Sequence, residues 1–316
     1  MIRTKGLVKR YGSFTAVDGI DLSIPRGEIY GFLGPNGAGK TSTIMMLLGI
    51  TRPTAGEIWL FGERYAPGRL DLRRRIGVVP EKHPRGVWPW MTAVEYLEMF
   101  ADLFEVTGAP ARIDALLAKV DLARFRGKRI REFSRGMLQK LSFIRALLPD
   151  PDILFLDEPI SGLDPIGIKQ VRDLILSENR EGRTIFISSH QLSEMEKICH
   201  RVAMLFRGRL MVEDTMTSLL SRTTVDREIH VELGTIPDEL PARLRTLPFV
   251  RDAVAQGETL VVKLARQGDY RRALSEQLIQ MGLVPLSIEE RTPSLEEAFI
   301  TITQENIDAL ARGGRS

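Results

Sequence analysis

The chain has 316 residues, of which 43% are hydrophobic, so it is long enough to bury a large core and to form more than one domain. Its 44 basic and 41 acidic residues leave a formal net charge of +3, which argues against bulk binding of nucleic acid. A single cysteine, Cys199, excludes a disulfide framework and indicates a reducing compartment. Apolar runs are shorter than the ~18 residues of a membrane span, so we expect membrane association only through a partner.

The first part of the chain predicts strands followed by a phosphate-binding loop. Residues 29–33 predict a buried strand and residues 43–48 the start of a helix. Between them the sequence has a glycine, four free positions, then Gly-Lys-Thr, which is the phosphate-loop pattern. Such a loop wraps a phosphate chain with backbone N–H groups at a helix N-terminus. The loop residues expected to bind a nucleoside triphosphate are Gly34, Asn36, Gly37, Ala38, Gly39, Lys40, Thr41 and Ser42.

Two side chains of this loop have specific expected roles. We expect Lys40 to reach the β- and γ-phosphates, and the Thr41 hydroxyl to bind Mg²⁺. The loop therefore predicts a nucleoside triphosphate and Mg²⁺ as ligands.

The middle of the chain is helical and then returns to strands. Residues 92–148 have a helical pattern, and strand patterns follow at 153–156, 184–188 and 202–206. Strands separated by helices predict an α/β fold with a parallel sheet, here with a helical insertion. The strand at 153–156 runs into Asp157 and Glu158, at the sheet edge beside the phosphate loop. Asp157 could hold Mg²⁺ and Glu158 could polarise an attacking water; considered alone, the two acids could equally be a solvated strand end.

The sequence pattern changes after about residue 221. Strand, helix, strand, strand, helix and strand patterns follow between residues 229 and 290, and this βαββαβ order predicts a ferredoxin-like α+β domain. A short helix is expected at 294–300. The predicted organisation is a nucleotide-binding domain over 1–222 with a helical subdomain over about 88–148, an accessory domain over 223–302 and a flexible tail over 303–316.

The motifs together resemble the ATP-binding subunits of ABC transporters over about residues 2 to 220. Tyr11 matches the aromatic residue that stacks on adenine, and Glu81 occupies the family's usual glutamine position near Mg²⁺. Residues 133–137 match the signature sequence, with Ser134 and Gly136 in its two phosphate-contacting positions. His190 matches the switch histidine, and residues 161–164 match a dimer-contacting loop that ends at Asp164.

The resemblance implies a P-loop NTPase fold with an antiparallel β subdomain. Two copies would sandwich two ATP molecules head to tail, so that Ser134, Arg135 and Gly136 of one copy face the ATP of the other. Lys40, Glu158 as general base and an assisting His190 would carry hydrolysis, with Thr41, Asp157 and Glu81 around Mg²⁺ and Asp164 near the nucleotide. The partners implied are a second copy and separately encoded membrane permease subunits, at the cytoplasmic face of the membrane, with no nucleic acid.

The sequence departs from the family's signature at Arg135 and Met137, where glycine and glutamine are usual, and at Glu81. These variants resemble the branch that serves ABC-2-type membrane subunits, so an exporter is expected. A regulatory ATPase that gates a membrane complex fits the motifs equally well. A soluble ABC ATPase acting on ribosomes or nucleic acid fits less well, because no second ATPase module is present.

Two further segments have two interpretations each. Trp88 and Trp90 could receive a membrane subunit or could pack the helical insertion onto the sheet. The basic stretch before the signature helix could face anionic lipid or the partner's loops, or, except for Arg135, it could be a solvated face; its members are Arg124, Arg126, Lys128, Arg129, Arg131 and Arg135. For the basic stretch at 73–75 we expect a solvated face.

Overall fold

The computed structural model describes residues 1–65, 68–81, 88–223, 227–265, 270–291 and 294–313. The strands are β1 (Ile2–Tyr11), β2 (Phe14–Ile24), β3 (Ile29–Leu33), β4 (Ala55–Leu60), β5 (Glu63–Arg64), β6 (Ile76–Val79), β7 (Ile153–Asp157), β8 (Thr184–Ser189), β9 (Arg201–Phe206), β10 (Arg209–Thr215), β11 (Arg227–Glu232), β12 (Val250–Gln256), β13 (Thr259–Leu264) and β14 (Ser287–Arg291). The α-helices are α1 (Lys40–Leu47), α2 (Leu70–Arg73), α3 (Ala93–Leu103), α4 (Ala109–Lys119), α5 (Arg135–Leu147), α6 (Pro165–Arg180), α7 (Leu192–Glu196), α8 (Met216–Thr223), α9 (Leu240–Leu244), α10 (Arg271–Gln280) and α11 (Leu295–Gly313).

The chain divides into two compact units. One contains Met1–Met216 together with the residues from Ile302 onward, and the other contains Thr217–Thr301. The division therefore falls a few residues before the expected boundary at 222, and it separates the two parts of α11.

The first unit is built on a six-stranded sheet with the strand order β10-β9-β3-β8-β7-β6. The five strands from β9 to β6 are parallel, and β10 joins the edge antiparallel to β9. Every residue of β3 and β8 is buried, because helices and a second sheet cover the two faces of a parallel sheet. This accounts for the continuous apolar runs of the sequence and confirms the predicted parallel α/β sheet.

A second, antiparallel sheet has the order β2-β1-β4-β5. One hydrophobic core joins this sheet to α1 and to the main sheet. From the main sheet it includes Phe32, Phe155 and Phe186, and from α1 it includes Ile44 and Leu47. The core fixes α1, the helix that starts at the phosphate loop, between the two sheets.

The helical insertion lies between β6 and β7 and comprises α3, α4 and α5, as the helical pattern predicts. The start of α3 is a capping box, in which Thr92 and Glu95 satisfy each other's backbone N–H groups. The insertion ends in α5, whose buried face includes Leu138, Leu141 and Ile144.

The second unit contains β11, α9, β12, β13, α10 and β14 in the predicted βαββαβ order. Its strands form an antiparallel sheet in the order β12-β13-β11-β14. Alternate residues of these strands, such as Ile229 and Val231, form a core with Leu274 and Leu278 of α10. This pairing supports a ferredoxin-like domain, which stays a prediction.

The last helix differs from the expectation of a short helix followed by a flexible tail. Helix α11 continues to Gly313, through residues that were expected to be frayed. The reason is visible in the sequence, where Leu295, Ala298 and Ile302 recur at helical spacing and neither glycine nor proline interrupts residues 295–312. Pro293, which directly precedes the helix expected at 294–300, lies outside the described residues.

Candidate nucleotide-binding site

The polar residues predicted for the site follow four neighbouring parallel strands. The phosphate loop follows β3, His190 follows β8, Asp157 ends β7, and Glu81 comes two residues after β6. Leu33 of β3 pairs with Ser189 of β8. The carboxyl ends of parallel strands meet at one edge of a sheet, and this is where α/β proteins bind ligands.

The phosphate loop holds the Lys40 side chain beneath it. Lys40 Nζ donates hydrogen bonds to the carbonyl oxygens of Gly34 at 2.7 Å and Pro35 at 3.2 Å. Its side chain is only 7% exposed, and its nearest carboxylate is Glu158, at 3.8 Å. Burial lowers the pKa of Lys40, against the opposing effect of Glu158, Asp157 and Glu81. The ammonium is therefore fixed in a poorly hydrated position where an added anion would interact strongly with it.

Gly39 shows why the loop needs glycine. Its φ of +107° is in the region that side chains rarely adopt, and a Cβ there would lie 2.4 Å from the carbonyl oxygen of Ala16. Gly39 is also the N-cap of α1, and no side chain caps this helix end. In contrast, Thr92, Ser134 and Asp164 cap α3, α5 and α6 with their side chains. The N-terminus of α1 is thus left open to an external anion.

The two acids after β7 are held by the end of β8. Ser188 Oγ donates a short hydrogen bond to Asp157 Oδ1. The Glu158 N–H donates to the Ser188 carbonyl oxygen at 3.0 Å, with Ser188 Oγ at 3.3 Å. Burial raises the pKa of Asp157, and the nearby charges of Glu158 and Glu81 raise it further, whereas Ser188 and Lys40 lower it. An added cation would relieve this crowding of carboxylates.

Glu158 is the most constrained acid of the site. Its backbone is left-handed, with φ +48°, which is uncommon for a residue other than glycine and costs about 1–2 kcal/mol. Its side chain is only 10% exposed, and Oε2 lies 2.9 Å from His190 Nδ1 and accepts from Ser189 Oγ at 3.4 Å. The strained turn directs the carboxylate back toward the phosphate loop, where it can accept a proton.

These groups line one cavity of about 410 Å³. It brings together the predicted residues Tyr11, Asn36, Gly37, Ala38, Gly39, Lys40, Thr41, Ser42, Glu81, Asp157, Glu158 and His190. Gly34 does not line the cavity, and instead its carbonyl oxygen accepts from Lys40.

The cavity wall also includes residues that were not predicted as site residues. Phe14 and Ala16 come from β2, and Ser161 comes from the loop before α6. Phe14 is 62% exposed and Tyr11 is 47% exposed, so two aromatic rings are available at the cavity. The hairpin that joins β1 to β2 pairs Tyr11 with Phe14. In the sequence, two aromatic residues on either side of a Gly-Ser turn were the signal for this pair.

Besides Gly34, four predicted residues do not line this cavity: Ser134, Arg135, Gly136 and Asp164. Ser134 accepts a hydrogen bond from the Met137 N–H at 3.3 Å, and its own hydroxyl hydrogen is left to donate elsewhere. Asp164 accepts from the Gly167 N–H at 2.7 Å. The Arg135 guanidinium lies against Gly162, since a Cβ on that glycine would be 2.2 Å from Arg135 Nη1.

The residues at the sheet edge fit a magnesium ion that arrives with phosphates. Within the described ranges, no group of three or more His, Cys, Asp or Glu side chains could hold a metal by itself. Mg²⁺ uses one or two carboxylates together with substrate phosphates, and it prefers oxygen ligands. The Thr41 hydroxyl and the Asp157 carboxylate supply such oxygens on the cavity wall, together with that of Glu81.

The phosphate loop, the open helix end and the paired acids define a P-loop nucleoside triphosphatase. Residues 17–161 match the family described as ABC transporter. The chain is 44% identical to the bacitracin transport ATP-binding protein BcrA of Bacillus licheniformis over 96% of this chain and 97% of the relative. It is 35% identical to the Nod factor export ATP-binding protein I of Burkholderia pseudomallei over 93% of this chain and 94% of the relative.

The fold comparison agrees with these relatives. A bacterial ABC transporter cassette solved as a dimer superposes with a TM-score of 0.62 at 25% identity, over 68% of this chain and 99% of the cassette. The chain therefore belongs to the family of ABC transporter ATP-binding proteins. It binds ATP and is an ATPase of the ABC type.

Proposed function

We propose that this chain is the ATP-hydrolysing subunit of an ABC exporter of the ABC-2 type, in which two copies clasp ATP and drive a separately encoded membrane permease. The observation that carries the proposal is the buried Lys40 beside Glu158 at the open end of α1, with the signature residues outside this cavity. The names of two relatives, a bacitracin transport and a Nod factor export ATP-binding protein, support a transport role.

Nucleotide binding uses the groups of one chain first. The exposed rings of Tyr11 and Phe14 offer a stacking surface for the base. The N–H groups at the start of α1 and the Lys40 ammonium bind the phosphates. Thr41, Asp157 and Glu81 would hold Mg²⁺, which when bound neutralises phosphate charge and orients the phosphates.

Hydrolysis follows from the acids at the end of β7. Glu158 takes a proton from the attacking water, because its carboxylate is buried at the cavity and is positioned by Ser189 and His190. His190 is 46% exposed at its side chain, so it can contact the γ-phosphate while it remains close to Glu158. Most of the barrier is lowered by positioning and charge neutralisation.

The second copy would complete the site from the opposite side. Helix α5 has 13 residues, and its N-terminus carries partial positive charge. Ser134 keeps a donor hydrogen while it caps this helix, so it can bond a phosphate oxygen of the ATP held by the other copy. The dimeric state of the similar cassette supports a dimer of this chain.

A cysteine cross-link tests the arrangement. The only native cysteine, Cys199, is buried, and burial raises the pKa of its thiol, so it should not interfere. A chain carrying Ser134→Cys and Asn36→Cys should form an intermolecular disulfide with a non-hydrolysable ATP analogue and Mg²⁺, and not without nucleotide. The control replaces Asn36→Cys by Ser23→Cys, an exposed position of β2. Equal cross-linking in the two double variants would refute the head-to-tail dimer.

The membrane partner is a separate part of the proposal. Among the helices of the described residues, none combines the length and the hydrophobicity of a membrane span. We propose that the chain associates with the cytoplasmic face of the membrane through permease subunits. Purification of the tagged chain from detergent-solubilised membranes should recover a protein with about six hydrophobic spans, and recovery with ribosomes instead would refute the exporter. Transport into vesicles would then separate pumping from a gating role.

A further inference from the structure

The basic stretch before α5 is not used by the nucleotide site. Five of the eight residues from 124 to 131 are basic and none is acidic, whereas the whole chain has a net charge of only +3. Arg124, Arg129 and Arg131 are exposed, and none of them forms a close ion pair among the described residues, although Arg129 interacts electrostatically with Glu95. Lys128 and Arg124 lie over the Phe125 ring, and Arg126 alone pairs with an acid, Asp114, at 3.4 Å.

The basic stretch at residues 73–75 differs from this one, because each of its arginines has a partner within the chain. Arg73 donates to the Gly49 carbonyl oxygen at 3.0 Å, Arg74 pairs with Glu105 at 2.8 Å, and Arg75 pairs with Asp152 at 2.7 Å. Each of these three cations thus has a structural role within the chain. The stretch over 124–131 leaves most of its charge uncompensated, and unpaired exposed cations attract an external polyanion.

The backbone connects this stretch to an exposed tryptophan. The Ile130 N–H donates to the Met91 carbonyl oxygen at 2.9 Å, and the Arg131 N–H donates to the Pro89 carbonyl oxygen at 3.1 Å. Trp90 lies between these two acceptors and is 62% exposed. Trp88 instead packs against Tyr96 and Phe100, with ring centroids 5.9 and 5.8 Å apart, so only one of the two tryptophans is available to a partner.

We propose that Arg124, Lys128, Arg129, Arg131 and Trp90 form a docking surface for anionic phospholipid, here called the basic–Trp surface. Its cations neutralise lipid phosphates, and the indole enters the headgroup region, where tryptophan is favoured. The cations lack fixed hydrogen-bond partners, which suits headgroups that rearrange in a fluid bilayer better than the fixed carboxylates of a protein partner. The contact goes beyond the proposed function, since the lipid is bound by this chain directly.

Co-flotation of the full-length chain with vesicles tests the proposal. The chain should float with vesicles that contain phosphatidylglycerol and phosphatidylcholine, but not with phosphatidylcholine alone. Raising the salt from about 0.1 M to about 1 M should release it, because the Debye length falls from ~10 to ~3 Å. Replacing the four named cations by glutamine should weaken binding by on the order of 10²-fold or more. Trp90 fluorescence should shift to the blue only with the anionic vesicles, and Trp90→Ala should remove this shift.

A charge-matched control separates the surface from net charge. Arg26, Arg64, Arg209 and Arg272 are each at least 60% exposed at the side chain and each pairs with an acid. Replacing these four by glutamine removes the same total charge and should leave most of the flotation. Equal losses in the two variants, or no flotation of the parent chain, would overturn the proposal, the latter in favour of an acidic protein partner. Neither result bears on the ATPase site, which is measured separately by hydrolysis.

Discussion

The role of Glu158 as general base gives the most direct test of the site. Glutamine has the same length, so Glu158→Gln can keep the contacts to Ser189 and His190 and the left-handed backbone at this position. What it loses is the negative charge and the ability to take a proton. A positioned base contributes about 10²–10⁴-fold, which corresponds to roughly 3–5 kcal/mol of the barrier. We therefore expect hydrolysis to be at least ~100-fold slower.

ATP binding by the Glu158→Gln variant should not be weakened, in contrast to hydrolysis. The Glu158 carboxylate lies 3.8 Å from Lys40 Nζ and repels the incoming phosphates, so its neutralisation should leave ATP affinity unchanged or improve it. Phosphate release at saturating ATP and Mg²⁺ measures the hydrolysis. Equilibrium binding of a fluorescent ATP analogue measures the affinity, and gel filtration with ATP should detect a trapped dimer.

The control for this variant is Glu105→Gln. Glu105 is 67% exposed at its side chain and pairs with Arg74, and it does not line the nucleotide cavity. The Glu105→Gln variant should hydrolyse ATP at the same rate as the parent chain. If Glu158→Gln turns over within about tenfold of the parent chain, the assignment of Glu158 as base is refuted.

Three other predictions address the remaining groups. Lys40→Ala should weaken ATP binding itself, and unchanged affinity in equilibrium dialysis would contradict the phosphate-loop assignment. Because the pKa of Asp157 is raised, the folded chain holds this proton more tightly than the unfolded chain and loses stability as the pH rises above the ordinary aspartate range. Asp157→Asn should remove that loss in thermal unfolding of the ligand-free chain, and identical pH profiles would refute it. Gly162→Ala and Gly108→Ala share φ +66° and should each lose about 1–2 kcal/mol of unfolding free energy. Only the former should also slow hydrolysis, because it displaces Arg135, and equal ATPase rates would contradict this.

Most of the nucleotide site could be predicted because each part has a local signal. The phosphate loop is a fixed pattern between a strand and a helix, and Asp157 and Glu158 end an apolar run. Parallel order then brings the separate strand ends to one edge. The cavity includes these predicted groups together with His190.

The residues that were missed depend on strand pairing. Ser188 bonds both Asp157 and Glu158 only because β7 and β8 pair in a register that sets Asp157 opposite Ser188. The left-handed backbone of Glu158 could not be predicted from the sequence, because a residue that precedes proline, here Pro159, is expected to be extended. The contact between Arg135 and Gly162 joins the start of α5 to the loop before α6, which are distant in the sequence.

The arrangement of these contacts indicates which parts of the site are rigid. Ser188 and Ser189 end β8, every residue of which is buried in the middle of the sheet. Ser188 holds Asp157 and the backbone of Glu158, and Ser189 Oγ contacts the Glu158 carboxylate and accepts from the Gln191 N–H at 3.0 Å. The acids therefore move only if the central strand moves, which close packing opposes. His190 follows this strand but is exposed, and Glu81 is exposed as well. We therefore expect His190 and Glu81 to move when a γ-phosphate binds, while Asp157 and Glu158 stay in place.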